Sequence, residues 1–311
     1  MTSNTLQGLD GSNPLGFLAG LGALNALTER LAPAGTPRLS WRSGDWRAIL
    51  EVPGEASNDS LLEVLREDLE TWRQDPCLDL RYHKPKNAGK VGSPAWDLKP
   101  PEGKYRQYLL GLLADSSPRN RRVLDFAAAF ATETARDNNG NTKPTALHFT
   151  AGQQEFLRMV ADLVATVSKE DLREALFGPW RYDQERPVLG WDCTAARDYA
   201  LRATDPSKDK RPGVPGADWL AFRGLSFIRV APRGSQVLTT GCSGGWKTGR
   251  FRWPLWRAPL DRDTIQAVVQ MPLTNIAEYA RRLRGISAVF ESAIRRSDQG
   301  GYGSFSPSAA V

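Results

Sequence analysis

The chain has few of the residues from which proteins build catalytic and metal sites. Its 311 residues include three cysteines and two histidines, His83 and His148. Cys77, Cys193 and Cys242 lie far apart and form no CxxC or CxH pair. This spacing predicts free thiols in a reducing compartment. It excludes a disulfide framework and a zinc site built on clustered cysteine and histidine ligands.

Long apolar runs are also lacking. A membrane-spanning helix needs about 20 consecutive apolar residues, and the nearest candidate, Leu15 to Leu31, contains several glycines together with Glu29 and Arg30. The first residues carry no basic leader of the secretory type. We therefore expect a cytoplasmic protein that does not have a membrane as a partner.

The familiar catalytic motifs are missing as well: the chain has no GxxxxGK(S/T) phosphate loop, no HExxH and no GxSxG. His148 precedes a predicted helix cap, a position more typical of a structural histidine than of a catalytic one. His83 lies beside Lys84 and Lys86, which favours a phosphate contact. We predict a protein that is not an enzyme and uses no cofactor or metal. The alternative is a metal-independent ribonuclease using either histidine.

What the chain does contain is a concentration of cations among aromatic rings. Between Gly241 and Arg257 there are four basic residues, four aromatic residues and no acidic residue. Cations neutralise phosphates and flat rings stack on bases, so this stretch predicts a nucleic-acid contact. The alternative is a half-buried strand pair whose tryptophans belong to the core. The candidate contacts here are Trp246, Lys247, Arg250 and Arg252.

Two further basic segments extend this hypothesis. Residues 81–106 hold seven basic residues against Asp97 and Glu102, with many prolines and glycines, which predicts a long basic loop of functional importance. A third basic cluster lies near the end of the chain. The alternative for each segment is solvated surface or contact with neighbouring protein. The candidate contacts are Lys84, Lys86, Asn87 and Lys90 in the loop, and Arg281, Arg282 and Arg284 in the last cluster.

The apolar pattern predicts an α+β fold, with a helical middle and a mostly antiparallel sheet in the C-terminal third. Predicted helices occupy Leu15 to Leu31 and begin at capping residues Ser60, Ser117, Thr150 and Ser168. Gly16, Gly20 and Gly22 in the first helix predict a close backbone approach to a neighbouring element.

After residue 216 the apolar period changes to two, which indicates strands. Trp219 to Val230 and Val237 to Gly241 are predicted as a hairpin. Phe251 to Leu260 is predicted as an edge or bulged strand because of Pro254, and Ala288 to Arg296 is predicted to pair with Tyr302 to Phe305. The charged stretch at 205–216 suggests an α-rich region at 1–204 and a β-rich region at 205–311, or one continuous unit.

Three signatures in order along the chain carry a family resemblance. The first is NPLGFLA at Asn13 to Ala19, leading into LGAL at Leu21 to Leu24. The second is ALRA at Ala200 to Ala203, followed by DPS at Asp205 to Ser207 and PGADWLAFRGL at Pro215 to Leu225. The third is FRWPLW at Phe251 to Trp256, followed by Pro259 and Leu260. Together they resemble the large-subunit-like CRISPR-associated proteins of type I-G (formerly I-U) Cascade complexes.

This resemblance implies a non-catalytic subunit of an RNA-guided effector complex. Its partners would be the guide RNA, target double-stranded DNA, the other Cascade subunits and the helicase-nuclease. Its role would include recognition of the protospacer-adjacent motif, while base pairing reads the rest of the target. The alternative is a protein-only scaffold or an accessory adaptor linked to the helicase-nuclease. That adaptor would dock through the acidic helix that carries Glu63, Glu67 and Glu70.

Overall fold

The computed structural model describes residues 1–32, 34–85, 91–114, 120–186, 188–194, 212–274, 276–297 and 301–311. Helices and antiparallel strands both contribute, which confirms the α+β prediction with its sheet-rich C-terminal third. The helices are α1 (Pro14–Leu31), α2 (Asn58–Glu70), α3 (Lys104–Ala114), α4 (Asn120–Phe130), α5 (Phe156–Thr166), α6 (Lys169–Phe177), α7 (Pro215–Gly224), α8 (Arg262–Val269) and α9 (Glu278–Leu283).

The strands of the described residues form two larger sheets and three hairpins, all antiparallel where they pair. The strands are β1 (Thr2–Asp10), β2 (Arg38–Trp41), β3 (Arg47–Val52), β4 (Tyr82–Pro85), β5 (Val91–Ala95), β6 (Ala131–Arg136), β7 (Thr142–Pro144), β8 (Val230–Arg233), β9 (Gln236–Thr239), β10 (Cys242–Ser243), β11 (Arg250–Trp256), β12 (Ile286–Arg296), β13 (Gly303–Phe305) and β14 (Ala309–Ala310).

Helix α1 lies at the centre of the fold. The side chain of Asn13 caps it by accepting the backbone N–H of Leu15 at 3.0 Å, and Pro14 occupies its first turn. Every residue from Pro14 to Leu27 is buried. The helix packs on α7 at backbone distance, because Gly22 faces the carbonyl oxygen of Leu220. The predicted close approach of the α1 glycines is thus confirmed.

Helix α7 corrects the strand predicted for Trp219 to Val230. All residues of α7 are buried, so its apolar residues lie on every side and leave no period of 3.6 to recognise. The following segment does form the predicted hairpin, with β8 and β9 paired from Val230 opposite Thr239 to Arg233 opposite Gln236. The hairpin prediction was therefore wrong about where its first strand begins.

The two sheets meet beside α1. One has the order β1–β3–β2; the other has the order β10–β11–β12–β13, with β14 also on β12. A bridge between Leu39 and Leu260 connects β2 to the chain after β11. Pro254 lies opposite Val289 of β12, beyond the two residues of β11 that pair with β10, and the register shifts just after it. The predicted bulged strand and the predicted pairing of β12 with β13 are both confirmed.

An aromatic cluster fills the space between the sheets and α1. The ring centroid of Phe17 lies 6.0 Å from that of Trp41 and 6.1 Å from that of Trp253. Trp253 donates its indole N–H to the Gly11 carbonyl oxygen, and Trp256 donates to that of Leu39, each at 2.8 Å. The core runs continuously through residues on both sides of position 204. The division into regions at 204 and 205 stays a prediction.

Two helices begin at other residues than predicted, and one predicted loop contains secondary structure. Ser57, not Ser60, caps α2, and α5 begins after Glu155 rather than at Thr150. The capping box of Ser168 and Asp171 is present as predicted. Residues 81–106 are not a long loop in the described part, since they form the β4–β5 hairpin and the start of α3.

Within the described residues, we find no helix with the length and apolar character to span a membrane.

Candidate nucleic-acid interface

The β4–β5 hairpin borders a half-open cavity of about 340 Å³. Its lining includes the cationic side chains of Arg81 and Arg158, the exposed imidazole of His83 and the ring of Trp96. The hairpin pairs Tyr82 with Ala95 and His83 with Pro94, and this register places residues from both strands around the same opening. The cavity therefore combines the two side-chain types that contact nucleic acid, cations and an aromatic face.

We call this cavity the hairpin pocket. Hydrogen bonds fix the position of Trp96 in its lining. The indole N–H of Trp96 donates to the Leu78 carbonyl oxygen, and its backbone N–H donates to a carboxylate oxygen of Glu155 at 3.1 Å. The guanidinium carbon of Arg81 lies 4.3 Å from the centre of the Trp96 ring. This cation–π contact holds the guanidinium over the ring, and both groups line the cavity.

Glu155 organises the remaining cations. Its side chain is only 8% exposed, and it accepts Arg158 Nε at 2.9 Å and pairs with Lys84 Nζ at 3.4 Å. Arg81 has its own partner, Asp79, at 3.1 Å between two exposed side chains. Three cations thus stand against two carboxylates, and an exposed pair such as that of Arg81 is weak enough to exchange for a phosphate. Lys86, Asn87 and Lys90 lie outside the described residues.

A buried pair supports the pocket from behind. His148 is 3% exposed, and its Nε2 lies 2.8 Å from Asp97 Oδ1 and 2.9 Å from the Thr150 hydroxyl. Burial acts to raise the pKa of Asp97, but the charge and hydrogen bond of His148 and the Phe156 N–H outweigh it and lower the pKa to about 2. Asp97 therefore ties the segment that follows β5 to the start of α5, and the described geometry gives His148 a structural role.

The aromatic stretch after Gly241 divides between core and surface. Phe251, Trp253 and Trp256 are buried, whereas the Trp246 side chain is 60% exposed. The alternative interpretation of that stretch is correct for the three buried rings, which β11 directs toward α1 and β12. Trp246 and the exposed Lys247 lie instead at the tip of the β10–β11 hairpin. Trp246 and Lys247 are therefore exposed at the surface of the protein.

Arg250 and Arg252 share one acidic partner across the sheet. Arg250 Nη1 donates to Glu291 at 2.6 Å, and Arg252 Nε donates to its other carboxylate oxygen at 2.8 Å. Burial acts to raise the pKa of Glu291, but the two arginines outweigh it and lower the pKa below its ordinary value. The three groups carry a net charge of +1, and the side chain of Arg250 is 57% exposed.

The arginines near α9 have intramolecular partners. Arg281 donates to the carbonyl oxygens of Ile276 at 3.0 Å and Val311 at 2.8 Å, which fastens the last strand to α9. Arg282 pairs with Glu278 at 2.6 Å on the exposed side of the helix. Arg284 makes a longer contact of 3.4 Å with the Ala280 carbonyl oxygen. These contacts give Arg281 a structural role and leave Arg282 and Arg284 as surface cations.

Sequence reasoning did not select Arg81, Trp96 or Arg158. Arg158 lies on α5, far along the chain from the hairpin, and only the fold brings it to the pocket. Trp96 did carry a signal, because a large aromatic residue within a segment rich in proline, glycine and lysine has few apolar neighbours in sequence. Such a residue is typical of a surface that binds something planar.

The acidic face proposed for docking is largely neutralised. Glu67 of α2 pairs with Arg30 at 2.6 Å, and Glu70 pairs with Arg73 at the same distance. Glu63 is shared between Arg66 and Lys169, with 3.3 Å to the lysine. A face whose carboxylates already hold cations has little net charge to offer a basic partner.

In the part of the chain that the structure describes, no cluster of three or more histidine, cysteine, aspartate or glutamate side chains is placed to hold a metal ion. Compared with known proteins, the chain matches no family model and no curated sequence. Its function must therefore be inferred from the resemblance of its sequence signatures and from the chemistry of the hairpin pocket and of the β10–β11 tip.

Proposed function

We propose that the chain is a non-catalytic, nucleic-acid-binding subunit of a type I-G CRISPR Cascade-like effector complex. In this role it contacts target DNA beside the protospacer, the guide RNA, or both, and it helps to recruit the helicase-nuclease. The observation that carries the proposal is the hairpin pocket, where Arg81 stacks on Trp96 and Arg158 lines the same opening. A planar guanidinium offers both a stacking surface and phosphate-directed N–H donors.

The charge of the chain fits a subunit better than an independent binder. A net charge of +6 over 311 residues is modest, and most described cations already have a carboxylate partner. We expect weak binding by the isolated chain and useful affinity once neighbouring subunits extend the basic surface. The three sequence signatures agree with this role.

The first test is co-expression of the tagged chain with the proteins of its gene neighbourhood and a guide RNA. Recovery of a complex that contains guide RNA is the expected result. Recovery of the helicase-nuclease alone would favour the accessory adaptor instead, and recovery of the chain by itself would contradict the proposal.

The second test measures target-DNA binding by the assembled complex. The double variant Arg81→Ala, Arg158→Ala should bind about tenfold more weakly, and the slope of log K against log salt concentration should fall by up to about two. Arg66→Ala, Arg73→Ala is the matched control, because it also removes two arginines, which pair with Glu63 and Glu70 away from the pocket. Equal losses in variant and control would show that general charge, and not the pocket, determines binding.

The third test asks whether the purified chain, free of its partners, cleaves nucleic acid. Labelled RNA and DNA should stay intact when incubated with the chain alone. Cleavage that His83→Ala abolishes would replace the proposal with a metal-independent nuclease, because His83 is the exposed histidine at the pocket.

A further inference from the structure

Trp246 differs from the other tryptophans of this protein. The chain has ten, and all ten lie in described residues. Trp246 is 60% exposed, while the other nine are buried or half-buried. A ring exposed to this degree has one face in solvent. A single exposed ring is not a site by itself, so the groups that support the ring decide what it can bind.

The backbone around Trp246 is tightly held. Residues 245–248 form a turn in which the Thr248 N–H donates to the Gly245 carbonyl oxygen at 3.2 Å, and the Gly245 N–H donates to the Thr248 hydroxyl at 3.0 Å. Gly244 has a positive φ of 80°, and a Cβ there would lie 2.2 Å from the Thr248 carbonyl oxygen. The turn thus presents Trp246 from a fixed position.

The ring itself rests on a fixed cation. The guanidinium carbon of Arg296 lies 4.9 Å from the centre of the Trp246 ring and 4.9 Å from that of Phe149. Arg296 donates through Nη1 to the His148 carbonyl oxygen at 2.6 Å and through Nη2 to that of Ala146 at 2.7 Å. The guanidinium of Arg296 therefore lies between the rings of Phe149 and Trp246, and the exposed Trp246 ring forms the solvent end of this stack.

The edge of the ring is also supported. A Cβ atom at Gly301, two residues before β13, would lie 3.0 Å from the Trp246 ring, so the backbone at Gly301 passes close to the edge of the ring. Burial lowers the pKa of Arg296 to about 10, which keeps the guanidinium charged at neutral pH. Among the described residues, Arg296 contacts two carbonyl oxygens and two aromatic rings and pairs with no carboxylate.

We infer that Trp246 is a stacking platform for an unpaired base of a single-stranded nucleic-acid segment. The inference rests on the proposed function and names the class of nucleic acid that this surface takes. A rigid indole with one free face, supported from behind by a cation, matches what a base requires. The exposed Arg250 and Lys247 on the same hairpin provide charge near the path of the phosphates.

A single strand is favoured over a duplex by geometry. In a duplex each base is already stacked on its neighbours, and a tryptophan at a turn reaches a base face only after unstacking. In an RNA-guided complex the displaced DNA strand and the exposed guide RNA supply unpaired bases without that cost. A protein partner that covers Trp246 is the competing outcome, and the test separates it.

The test uses the assembled complex and fluorescence anisotropy with an unstructured single-stranded DNA oligonucleotide and a duplex of the same length. Trp246→Ala should weaken single-strand binding by about tenfold, the usual effect of losing one stacked base. The slope of log K against log salt should stay the same, because no charge is removed. Trp246→Phe should restore most of the affinity, since it keeps a ring of similar orientation.

Tyr279→Ala is the matched control, because Tyr279 is an exposed aromatic residue at 71% on α9. An equal loss for Tyr279→Ala, or an equal loss on single strand and duplex, would overturn the platform. Dissociation of a subunit from Trp246→Ala in the absence of DNA would assign the ring to a protein contact. If Arg81→Ala, Arg158→Ala weakens binding while Trp246→Ala does not, the proposed function stands without the platform. If neither variant weakens binding, the function itself fails.

Discussion

A Cβ atom built on Gly22 of α1 would lie 1.7 Å from the carbonyl oxygen of Leu220 in α7. The contact is reciprocal, because a Cβ on Gly224 would lie 2.1 Å from the carbonyl oxygen of Leu18. Two backbones therefore meet at each crossing point, with no side chain between them. Since a backbone cannot move aside as a side chain can, these two glycines set the spacing of α1 and α7.

We predict that Gly22→Ala destabilises the protein by about 3 kcal/mol or more, the upper range for overpacking a core, since α1 and α7 must separate. Urea unfolding followed by circular dichroism measures the change. The matched control is Gly111→Ala on α3, where nothing lies within 4 Å of an added Cβ. That control should stabilise the helix by about 0.5–1 kcal/mol. An unchanged midpoint for Gly22→Ala would show that the helices do not approach this closely.

The contrast between α1 and α7 shows what the sequence can predict. The sequence predicts the start of helix α1 from Asn13 and Pro14, and the glycines of the helix predict its close approach to a neighbour. Helix α7 has an equally good first-turn proline, Pro215, but it is short and buried on all sides. Its apolar residues fit a strand as well as a helix, because periodicity distinguishes the two only when one face is polar.

The tryptophans show the same limit at the level of the site. Trp246 and Trp253 both lie in a basic, aromatic stretch, yet one is exposed and the other donates its N–H to Gly11 inside the core. Composition cannot separate them, since the difference arises from tertiary packing. The hairpin pocket could not be predicted from the sequence for another reason. Arg81 and Arg158 lie far apart along the chain, and only the fold brings them to the same cavity.

A second prediction concerns a buried ion network beneath α1. Arg223 is 0% exposed, and its Nε and Nη2 each donate to Asp68 at 2.9 Å while Nη2 also donates to Glu29 at 2.8 Å. Its guanidinium carbon lies 4.6 Å from the centre of the Trp72 ring. Burial raises the pKa of Asp68 and Arg223 opposes this, so the carboxylate depends on its partner.

Arg223→Met should therefore destabilise the protein by about 3–5 kcal/mol, the usual result of leaving a buried charge unpaired. The double variant Arg223→Met, Asp68→Asn should recover part of that loss, because the orphaned charge is removed. Urea unfolding of the wild type, both single variants and the double variant gives the coupling free energy. Additive effects of the two substitutions would contradict a direct buried pair.

A third prediction concerns Asp218 of α7. Its carboxyl is buried and accepts the Leu189 N–H at 2.9 Å. Burial raises its pKa from 3.8 to about 7, although that hydrogen bond opposes the shift. The unfolded chain loses the proton near the ordinary pKa, whereas the folded chain keeps it to a higher pH. The stability that this group contributes is therefore complete below about pH 4 and is lost as the pH rises to about 7.

Asp218→Asn keeps an acceptor for Leu189 and removes the ionisation. The free energy of unfolding of the variant, relative to wild type, should rise by on the order of 2–4 kcal/mol between about pH 4 and about pH 7.5. Urea unfolding at several pH values between these limits measures the difference. A difference that stays constant across the range would show that Asp218 ionises in the folded protein as it does in the unfolded chain.

The last prediction uses Glu291, which holds Arg250 and Arg252 on the face of β12. Glu291→Gln keeps the size and one acceptor oxygen but removes the charge that both arginines face. If this surface lies along a phosphate backbone, as the platform at Trp246 implies, the variant complex should bind single-stranded DNA about threefold more tightly at low salt. The slope of log K against log salt should become steeper by up to about one.

Glu278→Gln is the matched control, because it removes a carboxylate that pairs with Arg282 on α9. An equal gain in the control would reflect the overall charge of the chain. Unchanged binding by Glu291→Gln would mean that the two arginines stabilise the sheet without contacting nucleic acid. Weaker binding would mean that they contact it only when their carboxylate holds them in place.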